Sequence, residues 1–218
     1  MNPKFASAVD PIFLQVLDLL EKIERNERLE PEAEHQHLQH LFREADAKLG
    51  DRTGWDLARY ALASWIDEVL IEAPWSGREW WVNNLLEFAF FKSRERATRF
   101  FLKAEEASQL KSPDAYEVFY LCVVLGFYGL YILPEATFLA DNLRLPPTRE
   151  QWAQHAQRRI QLGQGRPPLQ MEVEPGEGAP PLEGRYALLS AVLAGVVLLA
   201  FAVVLAFYLF YSRPVATT

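Results

Sequence analysis

The helical character of this chain is clearest at residues 60–75, which read YALASWIDEVLIEAPW. Apolar side chains recur there every three to four positions, the period of one buried face of an α-helix. The members of this face are Leu62, Trp65, Ile66, Val69 and Leu70. Asp67, Glu68 and Glu72 take the remaining positions, and Pro74 cannot continue a helix. The segment therefore predicts a helix that ends before Pro74 and carries these carboxylates on its surface.

Two further helices are predicted upstream of this segment. The apolar face of the first consists of Phe13, Val16, Leu17, Leu20 and Ile23. That of the second consists of Leu38, Leu41, Phe42, Ala45 and Leu49, and this helix is expected to stop at Gly50. Downstream, Thr148 and Gln151 have the spacing of a capping box at a helix start. The sequence shows no alternation of strands and helices, so we expect an all-α domain over residues 1–162.

Residues 118–133 form a run of sixteen positions without a charged side chain. As a helix this run extends about 24 Å, which is short for a membrane span. Gly126, Gly129 and three tyrosines also make it less lipid-like. We interpret it as the central buried helix of the domain, and a second membrane span is the alternative.

The next segment, residues 163–185, has the composition of a linker. Five prolines and five glycines fall between Gly163 and Gly184, together with four glutamates. Neither a helix nor a packed core accepts this mixture, so the segment predicts a tether.

A longer uncharged run follows at residues 186–211, YALLSAVLAGVVLLAFAVVLAFYLFY, and arginines bracket it on both sides. As a helix its 26 residues extend about 39 Å, enough to cross a hydrocarbon core of about 30 Å. We therefore predict one transmembrane helix. The N-terminal residues contain no export signal, so we expect the helical domain in the cytoplasm and residues 212–218 as a short tail on the far side.

Small residues within this predicted membrane helix have regular spacing. Ala187, Ala191 and Gly195 lie four positions apart, which lets two helices approach closely. We expect a helix–helix contact there, either with a partner or with a second copy in a homo-oligomer. The alternative is that these residues reflect the general abundance of alanine in membrane helices.

Charge and motif content exclude several classes of function. The formal net charge of −7 provides no net basic field for nucleic acid. The sequence has no phosphate-binding loop, dinucleotide-binding motif or nucleophile elbow. His35, His37 and His40 do not converge as metal ligands on a helix and are expected on a solvated face, and Cys122 lies in an apolar run. We therefore predict no catalytic residue, no metal and no cofactor.

Two blocks of residues have a more specific pattern. The first is YALASWIDEVL at 60–70, followed by APW at 73–75 and by Trp80. The second is RFF at 99–101, EVFYLC at 117–122 and LGF at 125–127, followed by Gly129 and Tyr131. In this order and at this separation, the blocks resemble the DotU/TssL family, whose members are inner-membrane components of type VI and Icm/Dot type IVB secretion systems.

The resemblance implies two small helical bundles in the cytoplasm on a single C-terminal inner-membrane helix, with a short periplasmic tail. Family members have no known catalysis; they join a larger membrane partner of the TssM/IcmF type and receive cytoplasmic baseplate proteins. Asp67 and Glu68 lie at the family's acidic pair, and with Trp75 they are candidates for a partner-binding or fold-defining surface. The protein could belong to a type VI or to a type IVB secretion system. A membrane-tethered enzyme that uses Asp67 or Glu68 is a further alternative.

Overall fold

The computed structural model describes residues 1–49 and 52–163, and the short stretches 193–194, 199 and 203–205. Residues 1–49 and 52–163 form nine α-helices and one 3₁₀ helix. The α-helices are α1 Pro3–Glu24, α2 Pro31–Lys48, α3 Arg52–Glu72, α4 Arg78–Asn83, α5 Leu86–Phe91, α6 Arg96–Ser108, α7 Asp114–Val124, α8 Ala136–Asn142 and α9 Arg149–Gly163. The 3₁₀ helix is Gly129–Ile132. No strand occurs in the described residues, and the all-α class is confirmed.

Local capping explains several helix starts. The Asn2 side chain accepts a hydrogen bond from the Phe5 amide (2.9 Å), and Pro3 opens α1 with its φ already suited to a helix. The Thr148 hydroxyl accepts from the Gln151 amide (3.2 Å) at the start of α9, as its spacing predicted. Helix α3 ends at Glu72, two residues before Pro74.

Helix α3 is the central helix of the domain. Between Gly54 and Leu70 nearly every side chain is buried, which is the pattern of a helix surrounded on all sides. Helices α4, α5, α6 and α7 all pack against it, and α1 also contacts it. The Trp65 indole joins α3 to the end of α7 by donating to the Leu125 carbonyl (3.1 Å).

The predicted apolar faces of α1 and α2 are largely correct. In α2, Leu38, Phe42 and Ala45 are buried. In α1 the face is rotated, because Leu19 is fully buried whereas Leu17 is 41% exposed. The buried stripe of α1 runs through Val9, Ile12, Val16 and Leu19, which leaves Leu17 beside it.

The uncharged run 118–133 is not one helix, which corrects the sequence-based interpretation. Helix α7 ends at Val124, and Gly126 adopts φ +107°. The Phe127 amide bonds to the Cys122 carbonyl (3.0 Å) and the Gly126 amide to that of Val123 (3.3 Å). This is a Schellman motif, which glycine at the left-handed position permits. Among the described residues, Asp114–Ile132 is apolar enough to cross a membrane by length and composition, yet half of it is buried in the fold.

The chain divides into two units, Met1–Pro167 and Pro168–Thr218. In the second unit the described positions are helical, and the apolar side chains there are exposed: Leu193, Leu199, Val203, Val204 and Leu205. The predicted helix contact at Ala187, Ala191 and Gly195 lies outside the described residues, as do positions 164–185 of the predicted linker and the tail 212–218.

Candidate functional site

The acidic pair of α3 lies inside the domain. Asp67 is fully buried and Glu68 is 9% exposed. The expectation that both carboxylates lie on the surface of α3 is therefore wrong. The helix is covered on every side, so positions that would face solvent on a peripheral helix face other elements here. Only Glu72, at the end of the helix, is exposed as predicted.

Asp67 holds the connection between α4 and α5. One carboxylate oxygen, Oδ1, accepts from the Trp81 indole N–H (3.0 Å) and from the Leu86 amide (2.9 Å). The other, Oδ2, accepts from the Glu87 amide (2.8 Å). Two of these donors are amides of the first turn of α5, which have no acceptor within the helix. Asp67 thus caps α5 from a different helix.

Glu68 holds the turn that follows α7. Its Oε1 accepts from the Tyr128 amide (2.6 Å) and the Gly129 amide (3.0 Å), and Oε2 also lies 3.2 Å from the Gly129 amide. Gly129 has φ +54°, and a β-carbon there would lie 2.7 Å from the Phe127 ring and 3.0 Å from that of Phe101. The turn therefore requires glycine, and Glu68 satisfies its free amides.

Adjacent helical positions point about 100° apart, and this angle explains why the two carboxylates serve different partners. Glu68 brings together the two blocks that carry the family resemblance, because its own block is on α3 and its donors follow the second block. In that second block Phe100 stacks on Phe127 with ring centroids 4.0 Å apart. Asp67 thus links α3 to the α4–α5 connection, and Glu68 links α3 to the turn after α7.

Burial and hydrogen bonding have opposite effects on the pKa values of Asp67 and Glu68. Burial raises the pKa of Asp67 to about 7, while its three N–H donors and the Arg96 charge counteract this rise. Burial likewise raises the pKa of Glu68, against the Gly129 and Tyr128 amides and the same arginine. Arg96, in the first turn of α6, thus provides the positive charge that acts on both carboxylates.

A third buried carboxylate, Glu87, was not among the predicted site residues. Its Oε1 accepts from the Tyr60 hydroxyl (2.8 Å) and from the Glu95 amide (3.1 Å). The available signal was an isolated acid in the otherwise apolar run 85–91, LLEFAFF. Such an acid is rarely buried without partners, and Tyr60 belongs to the first resemblance block.

Trp75 differs from the acidic pair because it reaches the surface. Its indole N–H donates to the Leu70 carbonyl (2.8 Å), and its ring lies 6.2 Å from the ring of Trp81. It forms one wall of an open groove of about 440 Å³. The other lining residues are Ile23, Asn26, Glu27, Pro74, Ser76 and Arg78.

The three histidines of α2 do not form a site. His35 is half-buried against the rings of Trp80 and Trp81, and burial lowers its pKa, so its predicted place on a solvated face is wrong. His37 is exposed, and His40 pairs with Glu44 (3.3 Å). Within residues 1–49 and 52–163, no group of histidine, cysteine and acidic side chains has the arrangement of a metal site.

The chain is similar to known proteins in both sequence and fold. A family described as "Type VI secretion system protein DotU" matches residues 4–213. The fold resembles that of the cytoplasmic domain of TssL from Acinetobacter baumannii, with a TM-score of 0.57 and 18% identity over 73% of this chain and 98% of that domain. No curated protein gives a significant match.

At 18% identity the structural similarity shows the fold alone. The family follows from the sequence match, which extends over nearly all of the 218 residues. The chain therefore belongs to the DotU family of type VI secretion system proteins.

Proposed function

We propose that this chain is a non-enzymatic, tail-anchored subunit that docks other proteins at the bacterial inner membrane. Residues 1–162 form its cytoplasmic platform and residues 163–185 the tether. Residues 186–211 cross the membrane once, and residues 212–218 form the periplasmic tail. Its partners are a membrane subunit of the TssM/IcmF type and cytoplasmic baseplate proteins.

The observation that carries this proposal is the connection from Asp67 through Trp81 to Trp75. Asp67 accepts from the Trp81 indole, and the Trp81 ring contacts Trp75 at the wall of the open groove. Asp67 and Glu68 are thus positioning residues. Of the two roles considered for them, their geometry supports the fold-defining one. Direct contact with a partner is assigned to the groove, with Trp75 as its aromatic wall.

The chemistry of the groove suits a polypeptide segment. Ile23, Pro74 and Trp75 provide apolar contact, while Glu27 and Arg78 provide opposite charges at the rim. An apolar centre with a polar rim is typical of protein interfaces. Because Arg78 opens helix α4, a glutamate there would suit the helix dipole and leave the fold unaffected.

Partner capture by the full-length protein tests this assignment. Tagged wild type and Arg78→Glu are purified from the native membrane, and co-purifying subunits are identified by mass. We expect Arg78→Glu to lower the yield of at least one cytoplasmic partner. Arg43→Glu, at an exposed arginine of α2 that does not line the groove, is the matched control and should retain the wild-type yield. Equal yields from all three proteins would contradict docking at the groove.

Membrane anchoring is tested separately. The exposed apolar positions 193, 199 and 203–205 support a lipid-facing helix, and the anchor raises the local concentration of the domain for its partners. We expect the protein to stay in the pellet after a carbonate wash, and a reporter active only outside the cytoplasm to be silent at the N-terminus. Release by carbonate would contradict the anchor, and an active reporter would contradict the orientation.

A membrane-tethered enzyme that uses the acidic pair receives no support from the site. Both oxygens of Asp67 accept hydrogen bonds from N–H groups, and Glu68 is bonded to two amides. His35 packs edge-on against the Trp81 ring, and the indole N–H of Trp81 bonds to Asp67. Either carboxylate would have to break its hydrogen bonds to these N–H groups before it could contact a substrate.

A further inference from the structure

One short segment of this acidic protein has a net positive charge. Residues 92–103, KSRERATRFFLK, contain five basic residues and one acidic residue. Of the chain's 22 basic and 29 acidic residues, that leaves 17 and 28 elsewhere. The segment therefore has a charge opposite to that of the remainder of the molecule.

Four of the five basic residues reach the surface, and we call this set the basic face: Lys92 and Arg94 lie over the Phe88 ring, and Arg99 and Lys103 lie over the Tyr60 ring. The fifth, Arg96, is half-buried and acts on the acidic pair. Among the described residues, no carboxylate lies within 4.0 Å of Lys92, Arg94 or Lys103, and Arg99 has only Glu95 at 3.9 Å. In a chain with excess acid, such unpaired basic charge indicates an external anionic partner.

Apolar side chains are exposed beside these charges. Phe88 is 44% exposed, and the Lys92 and Arg94 cations lie 5.3 and 5.2 Å from its ring centre. Leu102 is 45% exposed and follows Arg99 by one helical turn. Basic groups around exposed aromatic and aliphatic side chains are typical of surfaces that contact the lipid headgroup region.

The fold holds this surface in one arrangement. Lys92 ends α5 in the left-handed conformation, and its amide bonds to the Phe88 carbonyl (3.1 Å). The Glu95 amide then donates to the buried Glu87 carboxylate and to the Ser93 hydroxyl. The connection from α5 to α6 is thus tied to the core, which keeps the charges together.

We propose that the basic face lies against anionic phospholipid headgroups of the membrane in which the C-terminal helix is anchored. This proposal rests on the tail-anchored topology proposed above. Anionic lipids of the cytoplasmic leaflet attract basic segments that lie within a Debye length. Because the proposed anchor keeps the domain at the membrane surface, the headgroups are at a high effective concentration for the basic face.

The test uses the full-length protein in vesicles of phosphatidylcholine, with or without a third of phosphatidylglycerol. An environment-sensitive fluorophore is attached at Leu102→Cys, since the native Cys122 is fully buried. We expect a blue-shifted emission and quenching by brominated lipid in the anionic vesicles, both reversed by high salt. Lys92→Glu with Arg94→Glu should weaken this contact by about fivefold for each basic charge removed.

The control variant Arg28→Glu with Arg43→Glu changes the net charge equally, at two exposed positions far along the chain from the basic face. It should retain the shift, and circular dichroism verifies that both variants are folded. Emission that is equal in the two lipid mixtures would overturn the proposal, as would a shift that arises only when an acidic partner subunit is added. Flotation of the vesicles reports the anchor independently: a chain that fails to float contradicts the topology, whereas one that floats without the shift contradicts only the basic face.

Discussion

Replacement of Asp67 by alanine should destabilise the helical domain strongly. The change leaves three N–H groups of Trp81, Leu86 and Glu87 without their acceptor. Each unsatisfied buried group costs about 1–3 kcal/mol. Relief of the buried charge offsets part of this sum, so we expect a loss of about 3–5 kcal/mol in the free energy of unfolding.

Asparagine at the same position should cost less. Its carbonyl oxygen can keep the bonds from the Trp81 indole and the Leu86 amide, whereas its amide group would face the Glu87 N–H. One lost acceptor corresponds to about 1–2 kcal/mol. We therefore expect Asp67→Ala to be the least stable, Asp67→Asn to be intermediate and the wild type to be the most stable.

Urea unfolding of the full-length protein in detergent, followed by tryptophan fluorescence, measures this series. All six tryptophans lie between positions 55 and 152, so the signal reports on the helical domain. Glu72→Ala is the matched control, because Glu72 is an exposed acid on the same helix and should change stability by less than about 0.5 kcal/mol. If Asp67→Ala were as stable as this control, the carboxylate would not hold the α4–α5 connection.

Three further predictions concern stability and reactivity. Because the pKa of Asp67 rises from 3.8 to about 7 on folding, the folded state binds this proton more tightly. Stability should therefore fall by up to about 1.4 kcal/mol per pH unit as the pH rises through that interval, and Asp67→Asn should reduce the slope of urea midpoints against pH; an unchanged slope would exclude Asp67 as its source. Gly129→Ala should cost about 2–4 kcal/mol through its positive φ and its contact with Phe127, and a wild-type urea midpoint would contradict this. Cys122, fully buried, should react with maleimide only on unfolding, as mass spectrometry would show; rapid labelling of the native protein would refute the packing of α7.

Sequence patterns predicted α1, α2, α3 and the start of α9 because the signals for these elements are local. The end of α3 before Pro74 and the Thr148 cap of α9 depend on neighbours within a few residues. The run 118–133 was misread because an uncharged stretch does not reveal its break. Gly126 terminates α7 there by adopting a positive φ. A hydropathy pattern contains no information about backbone angles.

The burial of Asp67 and Glu68 could not be predicted from their neighbours in the sequence. The donors to Asp67 come from residues up to 20 positions later, and those to Glu68 from residues 60 and 61 positions later. A helical period places a carboxylate on a face of its helix but contains no information about what covers that face. The surface placement of the pair failed for this reason.

The amino-acid pattern alone was sufficient for the all-helical class, for the family and for the expectation of a membrane anchor, because periodicity, run length and residue spacing are properties of the chain itself. The buried role of Asp67 and Glu68 and the groove at Trp75 emerged only when the helices packed. Each depends on backbone amides and side chains that are distant in sequence and become neighbours through folding.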